Sequence, residues 1–507
     1  MKNNKMKNTI TPTVEIEKYD LVVIGGGPSG YAGAMRAVDF GKKVLIVEKD
    51  KIGGAGIYNG ALWSKAMWEF SQKVMVRRDA EKDYFKGVTF EEMMHDVNGA
   101  IFDRKLQMTL HMSLLQSETI NKNLHYEKGR AEMIDKNHVR IYKTNGEKIV
   151  ETDFILLATG SSPRYLNNIP IDENIIVTSN GIGNWQEFPE SLVILGAGVI
   201  GCEFATIFSN IGKTKVYLID KGDRILPFED EDVAKMVTEN LEANGVTIHK
   251  NSSLVRMEIK ENQVEYELQY TDGRTEILHV QKALVSVGRE PNVKNIGLEN
   301  VGVELTPRDS VKDFDTQTTI PNIYVAGDLT AEMSLVTVGE REARHAVRKM
   351  FGGYIDTLKY RNLCTIMFLN PEVAVVGMSE QEAASKGISV KVAKIDYSCI
   401  ARAIAMRKTK GFFKIIVTND SEMKILGMRA IGEHASSAIG AVQLLIYMGK
   451  GIDELAHMIY PHPSIIEGIQ ECVRMLLNKS IYKPAIFRDK LKCYTCENGV
   501  CTPIQYL

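Results

Sequence analysis

The sequence predicts an α/β protein with two copies of one strand–turn–helix–strand unit, followed by an α+β region towards the C-terminal end. Three observations predict this. An apolar run, Asp20–Ile24, stops at Gly25-Gly26-Gly27-Pro28-Ser29-Gly30 and passes into an Ala-rich helical stretch. The same succession returns at Leu192–Leu195 and Gly196-Ala197-Gly198-Val199-Ile200-Gly201. Further on, Phe412–Val417 and Ile425–Ala430 flank the turn-rich Thr418-Asn419-Asp420-Ser421, as the arms of a hairpin do.

The bulk numbers bound the reading. At 507 residues the chain is long enough for several domains. Its 44% hydrophobic and 25% charged residues are ordinary for a globular protein with sizeable cores. A formal net charge of −2 gives no basic field for nucleic acid. No apolar run has the length of a membrane span. Residues 1–17 are polar and Lys/Asn-rich, without the apolar core of a secretory signal, and read as a disordered tail. The expected location is cytoplasmic, with an organellar matrix left open.

In the first unit, Asp20–Ile24 is a short β-branched strand, Tyr31–Phe40 a helix closed by Gly41, and Val44–Val47 a second strand ending in Glu48. Gly25 permits the tight turn, Gly27 lets backbone approach a pyrophosphate, and Gly30 lets helix and strand pack closely. Pro28 and Ser29 open the helix, whose N–H groups favour phosphate. The Glu48 carboxylate suits a ribose diol. In the second unit, Gly196, Gly198 and Gly201 take the same places, with Val199 and Ile200 opening a helix that runs to Gly212. The strand Val216–Ile219 ends in Asp220. An acid there accepts from a free ribose 2′-OH and repels a 2′-phosphate, favouring NAD(H) over NADP(H). Lys221 and Arg224 nearby keep NADP(H) open.

With further segments, the pair of units resembles the pyridine nucleotide–disulfide oxidoreductases, most closely the dihydrolipoamide dehydrogenases. The segments are Ala158-Thr159-Gly160-Ser161-Ser162-Pro163, Val287-Gly288-Arg289-Glu290-Pro291-Asn292, Ile323–Asp328 and Asn370–Gly377. The resemblance implies two Rossmann-like domains, for FAD and NAD, and an α+β C-terminal dimerisation domain that makes a homodimer. The implied boundaries are 18–163 and 288–352 for the FAD domain, 164–287 for the NAD domain and 353–485 for the interface domain, with a Cys-containing tail at 486–507. It implies FAD contacts at Lys49, Gly54, Lys65, Ala131, Gly327 and Asp328, besides the first turn and Ala158–Gly160. On the NAD side it adds Glu203 and Gly288.

The chain departs from the family at one place. Relatives carry a redox-active cysteine pair after the strand that ends in Glu48. Here the segment reads Gly53-Gly54-Ala55-Gly56-Ile57-Tyr58-Asn59-Gly60-Ala61-Leu62-Trp63-Ser64-Lys65. Gly56 and Ala61 stand where the sulfurs belong. Either Tyr58 and Trp63 refill the volume, or a pocket opens there. Thiol–disulfide exchange needs two sulfurs, whereas hydride transfer belongs to the cofactors.

Lys65 and Glu203 match the family's ion pair near the flavin; the alternative is an ordinary surface pair. His462 and Glu467 match its His–Glu dyad, with Pro463 in the first turn of a helix over Ser464–Leu477. The alternative is a helix-capping His without chemistry. A further helical pattern covers Ala435–Met448, and Ile465, Ile469, Cys472 and Leu476 share one face, as core or dimer seam. Cys493, Cys496 and Cys501 crowd the C-terminal end. They suit a mobile tail with free thiols, a redox relay like the C-terminal pairs of some relatives, or a metal site lacking an evident fourth ligand.

The expected function is FAD-dependent NAD(P)H oxidation, with electrons passing to a quinone, a disulfide or a nicotinamide. A non-catalytic FAD-bearing scaffold and a thiol- or metal-handling reductase are the alternatives.

Overall fold

The computed structural model describes residues 16–81, 83–117, 123–330, 333–353 and 355–504. The chain divides into two compact units. One comprises Met1–Trp63, Gly99–Ser162 and Arg289–Leu358; the other comprises Ser64–Asn98, Pro163–Gly288 and Lys359–Leu507.

The first unit is built on a parallel sheet. Leu124–Lys128, Val44–Glu48, Glu17–Ile24, Gly146–Leu157 and Ile323–Val325 lie side by side in that order. Leu21, Val22, Val23, Val44, Leu45 and Ile46 have no exposed surface. Strands covered on both faces lose the alternation of a half-exposed sheet, which is why the sequence shows unbroken apolar runs. The helix Pro28–Asp39 starts where the first strand stops. The first strand corrects the expected tail, because it begins at Glu17 and not beyond it. Glu17 pairs with Lys43 and Lys148, so its backbone and side chain are both held. Residues 1–15, where the rest of the expected tail falls, lie outside the described residues.

Among the described residues, the second unit holds three sheets. Five parallel strands run in the order Thr247–His249, Lys215–Ile219, Ser191–Leu195, Lys282–Val285 and Ile176–Val177. Ser252–Lys260, Gln263–Tyr270 and Thr275–Val280 form an antiparallel meander. The third sheet is antiparallel with seven strands. Its order is Cys364–Met367, Val373–Gly377, Ile425–Ile431, Phe412–Thr418, Val390–Asp396, Leu491–Glu497 and Val500–Pro503. The hairpin read at residues 412–430 is present, with strands Phe412–Thr418 and Ile425–Ile431.

Three expectations in this region are corrected. The Cys-containing segment is no mobile tail: Leu491–Glu497 pairs along Val390–Asp396 and folds back as Val500–Pro503. Leu491 and Cys493 are buried on either side of exposed Lys492, but the alternation does not continue to Cys496, so the strand carries only a short signal of its own. The last helix spans Glu467–Leu476 instead of starting at Ser464. Pro463 has no N–H, and the Glu467 carboxylate takes the Ser464 N–H at 2.9 Å, which holds that stretch as a turn. The pattern at Ala435–Met448 is two helices, Ala435–Ala438 and Gly440–Met448. Ile465, Ile469, Cys472 and Leu476 are buried within this unit's own core, so their face is core rather than seam.

Candidate functional site

The two glycine turns are built alike. Glycine is dictated where backbone crowds. A Cβ at Gly25 would stand 2.3 Å from the Ala158 carbonyl oxygen, and one at Gly30 or Gly201 would stand 1.9 Å from the carbonyl oxygen of Gly25 or Gly196. By contrast, added Cβ atoms at Gly27 and Gly198 would meet nothing within 4 Å. Each of these two residues caps the helix that follows, and each faces open space where a pyrophosphate has to approach.

Each turn is also locked to its acid in the same manner. The Gly26 N–H donates to Glu48 Oε2 at 2.7 Å, and the Asp50 N–H to Oε1 at 2.7 Å. In the second unit the Ala197 N–H donates to Asp220 Oδ2 at 3.3 Å, and the Gly222 N–H to Oδ1 at 2.8 Å. Two backbone donors fix each carboxylate in place, and each oxygen keeps a lone pair for a ribose hydroxyl. These residues fit the adenosine diphosphate part of a dinucleotide. Arg224 turns back to the Pro227 carbonyl at 2.9 Å. Gly288, at positive φ with free space beside it, accepts the Arg164 N–H at 3.0 Å.

The other residues expected at the FAD site form a hydrogen-bonded frame. Asp328 Oδ2 accepts from the Ser161 hydroxyl at 2.5 Å, and Arg289 Nε donates to the same hydroxyl oxygen at 2.7 Å. Burial pushes the Arg289 guanidinium below its ordinary range, against the pull of Asp328. The Ala158–Gly160 segment is stitched to Asn292: the Thr159 hydroxyl donates to its carbonyl at 2.8 Å, and the Asn292 amide donates to the Thr159 carbonyl at 2.8 Å. The Gly327 N–H donates to buried Glu342 Oε2 at 2.7 Å. Lys49 is exposed beside Glu48, and Ala131 packs into the core. Gly54 lies against Gly27, with an added Cβ 3.2 Å from the Gly27 Cα.

The chain has no cysteine before Cys202. Gly56 lies in the short helix Gly54–Ile57, and a Cβ there would stand 2.4 Å from Pro28 Cγ. The space beside Gly56 is therefore taken by the proline of the first turn. Trp63 is buried, and Tyr58 is half-buried with the Lys51 ammonium 5.0 Å from its ring centre.

Lys65 Nζ lies 3.1 and 2.9 Å from the two Glu203 oxygens. The Glu203 side chain is only 6% exposed, which rules out an ordinary surface pair. The Phe368 N–H donates to Glu203 Oε1 at 3.0 Å, and the Phe368 ring lies 4.8 Å from the Lys65 ammonium. The Trp68 indole stands edge-on to that ring and donates to the Leu369 carbonyl at 3.1 Å. Trp68 and Phe368 also border a cleft of about 1460 Å³ whose wall includes Arg77, His95 and His434.

His462 and Glu467 are together, with Nδ1 2.8 Å from Oε1. Glu467 orients the ring, and the imidazole is largely exposed. The three late cysteines do not come together. Cys496 and Cys501 form a disulfide across the hairpin, whereas Cys493 packs into a different apolar cluster from Cys496. A site using all three sulfurs is thereby excluded.

Sequence reasoning missed Phe368, Glu342 and Ser161 as supports. Their contribution is a backbone N–H or a second-layer hydrogen bond, which leaves no motif. It also missed buried Lys414, whose Nζ lies 2.9, 2.7 and 2.6 Å from Asp230, Asp232 and Glu380.

Comparison with known proteins agrees with this geometry. The pyridine nucleotide–disulphide oxidoreductase family model matches residues 19–346, and its dimerisation domain matches residues 363–473. The dihydrolipoyl dehydrogenase of Chlamydia muridarum is 31% identical over 92% of this chain and 99% of its own length. One from Bacillus subtilis is 30% identical over 91% and 97%. Among solved structures, LpdA from Mycobacterium tuberculosis superposes with a TM-score of 0.82 at 25% identity, covering 91% of this chain and all of that one. A Cu(II) complex of the HOCl-induced flavoprotein disulfide reductase RclA from Escherichia coli gives 0.81 at 25% identity, with the same coverage. No helix among the described residues is long and apolar enough to cross a membrane. With the family model matching residues 19–346 and its dimerisation domain residues 363–473, the chain belongs to the pyridine nucleotide–disulphide oxidoreductases, a family of FAD-dependent, NAD-linked enzymes.

Proposed function

We propose that this protein oxidises NADH through its FAD and hands the electrons to an acceptor other than a dithiol held next to the flavin. The observation that carries the reading is the buried Lys65–Glu203 pair, kept intact in a chain with no cysteine before Cys202. A family member that had lost its chemistry would have no reason to keep an ammonium and a carboxylate half in the interior, where an unpaired partner is costly.

Bound FAD supplies two-electron chemistry, taking hydride from a reduced nicotinamide and releasing it to an acceptor. The chain's own residues set the conditions for this. Asp220, locked by Ala197 and Gly222, receives the adenosine ribose of NADH, while Arg224 gives one guanidinium nitrogen to the Pro227 carbonyl and keeps a buried Nη1 without a partner among the described residues. Glu203, itself fixed by the Phe368 N–H, holds the Lys65 Nζ at 2.9 Å. Trp68 and Phe368 give the neighbouring cleft an aromatic wall. A planar acceptor, a quinone or a second nicotinamide, suits that wall; an external disulfide is the third candidate. His462, held by Glu467, does not line that cleft in its own chain, and it is the group to move a proton to an acceptor bound in the homodimer. The active form is a homodimer through the dimerisation domain.

The test is anaerobic reduction of the FAD-loaded protein with NADH, followed by acceptors offered singly. Bleaching of the flavin band, with recovery on a quinone, an oxidised nicotinamide or a disulfide, supports the proposal and names the acceptor. A flavin that NADH leaves oxidised points to a FAD-bearing scaffold instead. Turnover of dihydrolipoamide with NAD at the ordinary rates of dihydrolipoyl dehydrogenases would also overturn it.

A further inference from the structure

Cys496 and Cys501 are register partners in the antiparallel Leu491–Glu497 and Val500–Pro503 strands and are bonded to each other. Their surroundings differ sharply. Cys496 is 9% exposed and packs with Ala383, Val390, Val392 and Ile416. Cys501 lies on the sheet's outermost strand, where all four residues are exposed. The Glu380 carboxylate lies 4.0 Å from the Cys496 sulfur. It is tied there by Lys414 Nζ at 2.6 Å on one oxygen and by the Tyr494 hydroxyl at 3.0 Å on the other.

We propose that this pair is a thiol–disulfide exchange site for external dithiols, with Cys501 as the sulfur attacked and Cys496 as the sulfur released. Attack requires access, and only Cys501 offers it. A dithiol loses a proton to solvent, and its thiolate attacks Cys501 Sγ. The bond to Cys496 breaks, and a mixed disulfide forms on Cys501. The Cys496 sulfur takes the electron pair and a proton from solvent, and its S–H points at Glu380 Oε2. The second thiol of the reductant ionises and attacks the reductant's own sulfur in the mixed disulfide. The reductant leaves as a disulfide, and the Cys501 sulfur departs as thiolate and takes up a proton. Two electrons and two protons have moved from the dithiol to the pair. The fixed carboxylate disfavours a thiolate at Cys496, so the reduced pair is asymmetric: Cys501 is the nucleophile for the return reaction. The strand pairing to Val390–Asp396 keeps both sulfurs on this hairpin throughout, so no swinging segment is involved.

The test uses the full-length, FAD-loaded protein. After reduction with dithiothreitol and rapid removal of the reagent, timed iodoacetamide pulses are read by peptide mass spectrometry. The expected result is Cys501 labelled at least about tenfold faster than Cys496, in line with access and thiolate fraction. Glutathione disulfide should then form a mixed disulfide on Cys501 in Cys496→Ser, and none on Cys496 in Cys501→Ser. Glu380→Gln should narrow the labelling ratio by removing the charge beside Cys496. Equal labelling in the unaltered protein, preferential labelling of Cys496, or a pair that dithiothreitol leaves oxidised would each overturn the proposal. The labelling needs no variant, so a Ser substitution that unfolds the hairpin does not remove the test.

Discussion

Pro28 occupies the place beside Gly56 that a side chain would need, with its Cγ 2.4 Å from where a Cβ would stand. The two residues come from different motifs, the first nucleotide turn and the short helix after Glu48. Their contact turns a sequence difference into a steric one. Restoring both sulfurs as Gly56→Cys with Ala61→Cys is therefore expected to give no dihydrolipoamide oxidation. Even Gly56→Ala should cost about 1–3 kcal/mol, as overpacking does. Thermal melting and the FAD content of the purified variant check this. A fully stable, FAD-replete Gly56→Ala would show that Pro28 yields freely.

Breaking the buried ion pair should separate stability from chemistry. Glu203→Gln keeps the shape and an acceptor for the Phe368 N–H, but leaves Lys65 without its counter-charge. Flavin reduction by NADH in stopped flow is expected to slow by roughly tenfold or more, the scale of losing one electrostatic contact at a reacting centre. An unchanged rate would make the pair a structural pin only.

Cofactor choice should follow Asp220. Asp220→Ala removes the ribose acceptor and the negative charge that repels a 2′-phosphate. The ratio of kcat/KM for NADPH over NADH is expected to rise about tenfold or more, mostly through KM. A ratio that does not move would place the discrimination elsewhere in the second turn.

The Lys414 cluster sets an acid limit on stability. Burial alone would raise the Asp232 carboxyl, but Lys414 and Lys394 override it and hold it below the ordinary aspartate range. A depressed carboxyl contributes stability above its unfolded pKa and loses it as pH falls through the folded value. The loss from Asp232 therefore sets in below about pH 4. Glu229 has the opposite sign: burial raises its carboxyl despite Arg429, so protonation there relieves a cost. Lys414→Met, which leaves Asp230, Asp232 and Glu380 facing one another, should cost about 3–5 kcal/mol near neutral pH. The deficit should shrink on acidification. Melting temperatures of both proteins from pH 7 to pH 3 measure it, and a constant gap would reject the electrostatic origin.

What could be read from the sequence follows from how local each cause is. Gly30 and Gly201 are demanded by the carbonyls of Gly25 and Gly196 a few residues before them, so the turns were legible as text, whereas the crowding at Gly25 and Gly196 comes from Ala158 and Ser286, far along the chain. Lys65 with Glu203 was legible only through resemblance, since a spacing of 138 residues leaves no pattern of its own, and the roles of His462 and Glu467, close in sequence, came from resemblance as well. The Phe368 N–H on Glu203 was not legible, because any residue but proline could supply it. The final hairpin was misread because Leu491–Glu497 finds its partner about a hundred residues upstream, at Val390–Asp396.

The matched acid locks have a metabolic consequence. On the proposed reading, Gly26 with Glu48 and Ala197 with Asp220 recognise only what FAD and NADH share, an adenosine diphosphate. Discrimination between the two cofactors has to arise at their other ends, and the second socket on its own cannot tell NADH from free ADP or ADP-ribose. These nucleotides are therefore expected to act as competitive inhibitors against NADH. Through them the enzyme's rate would track the adenylate pool of its surroundings as well as the supply of reducing equivalents.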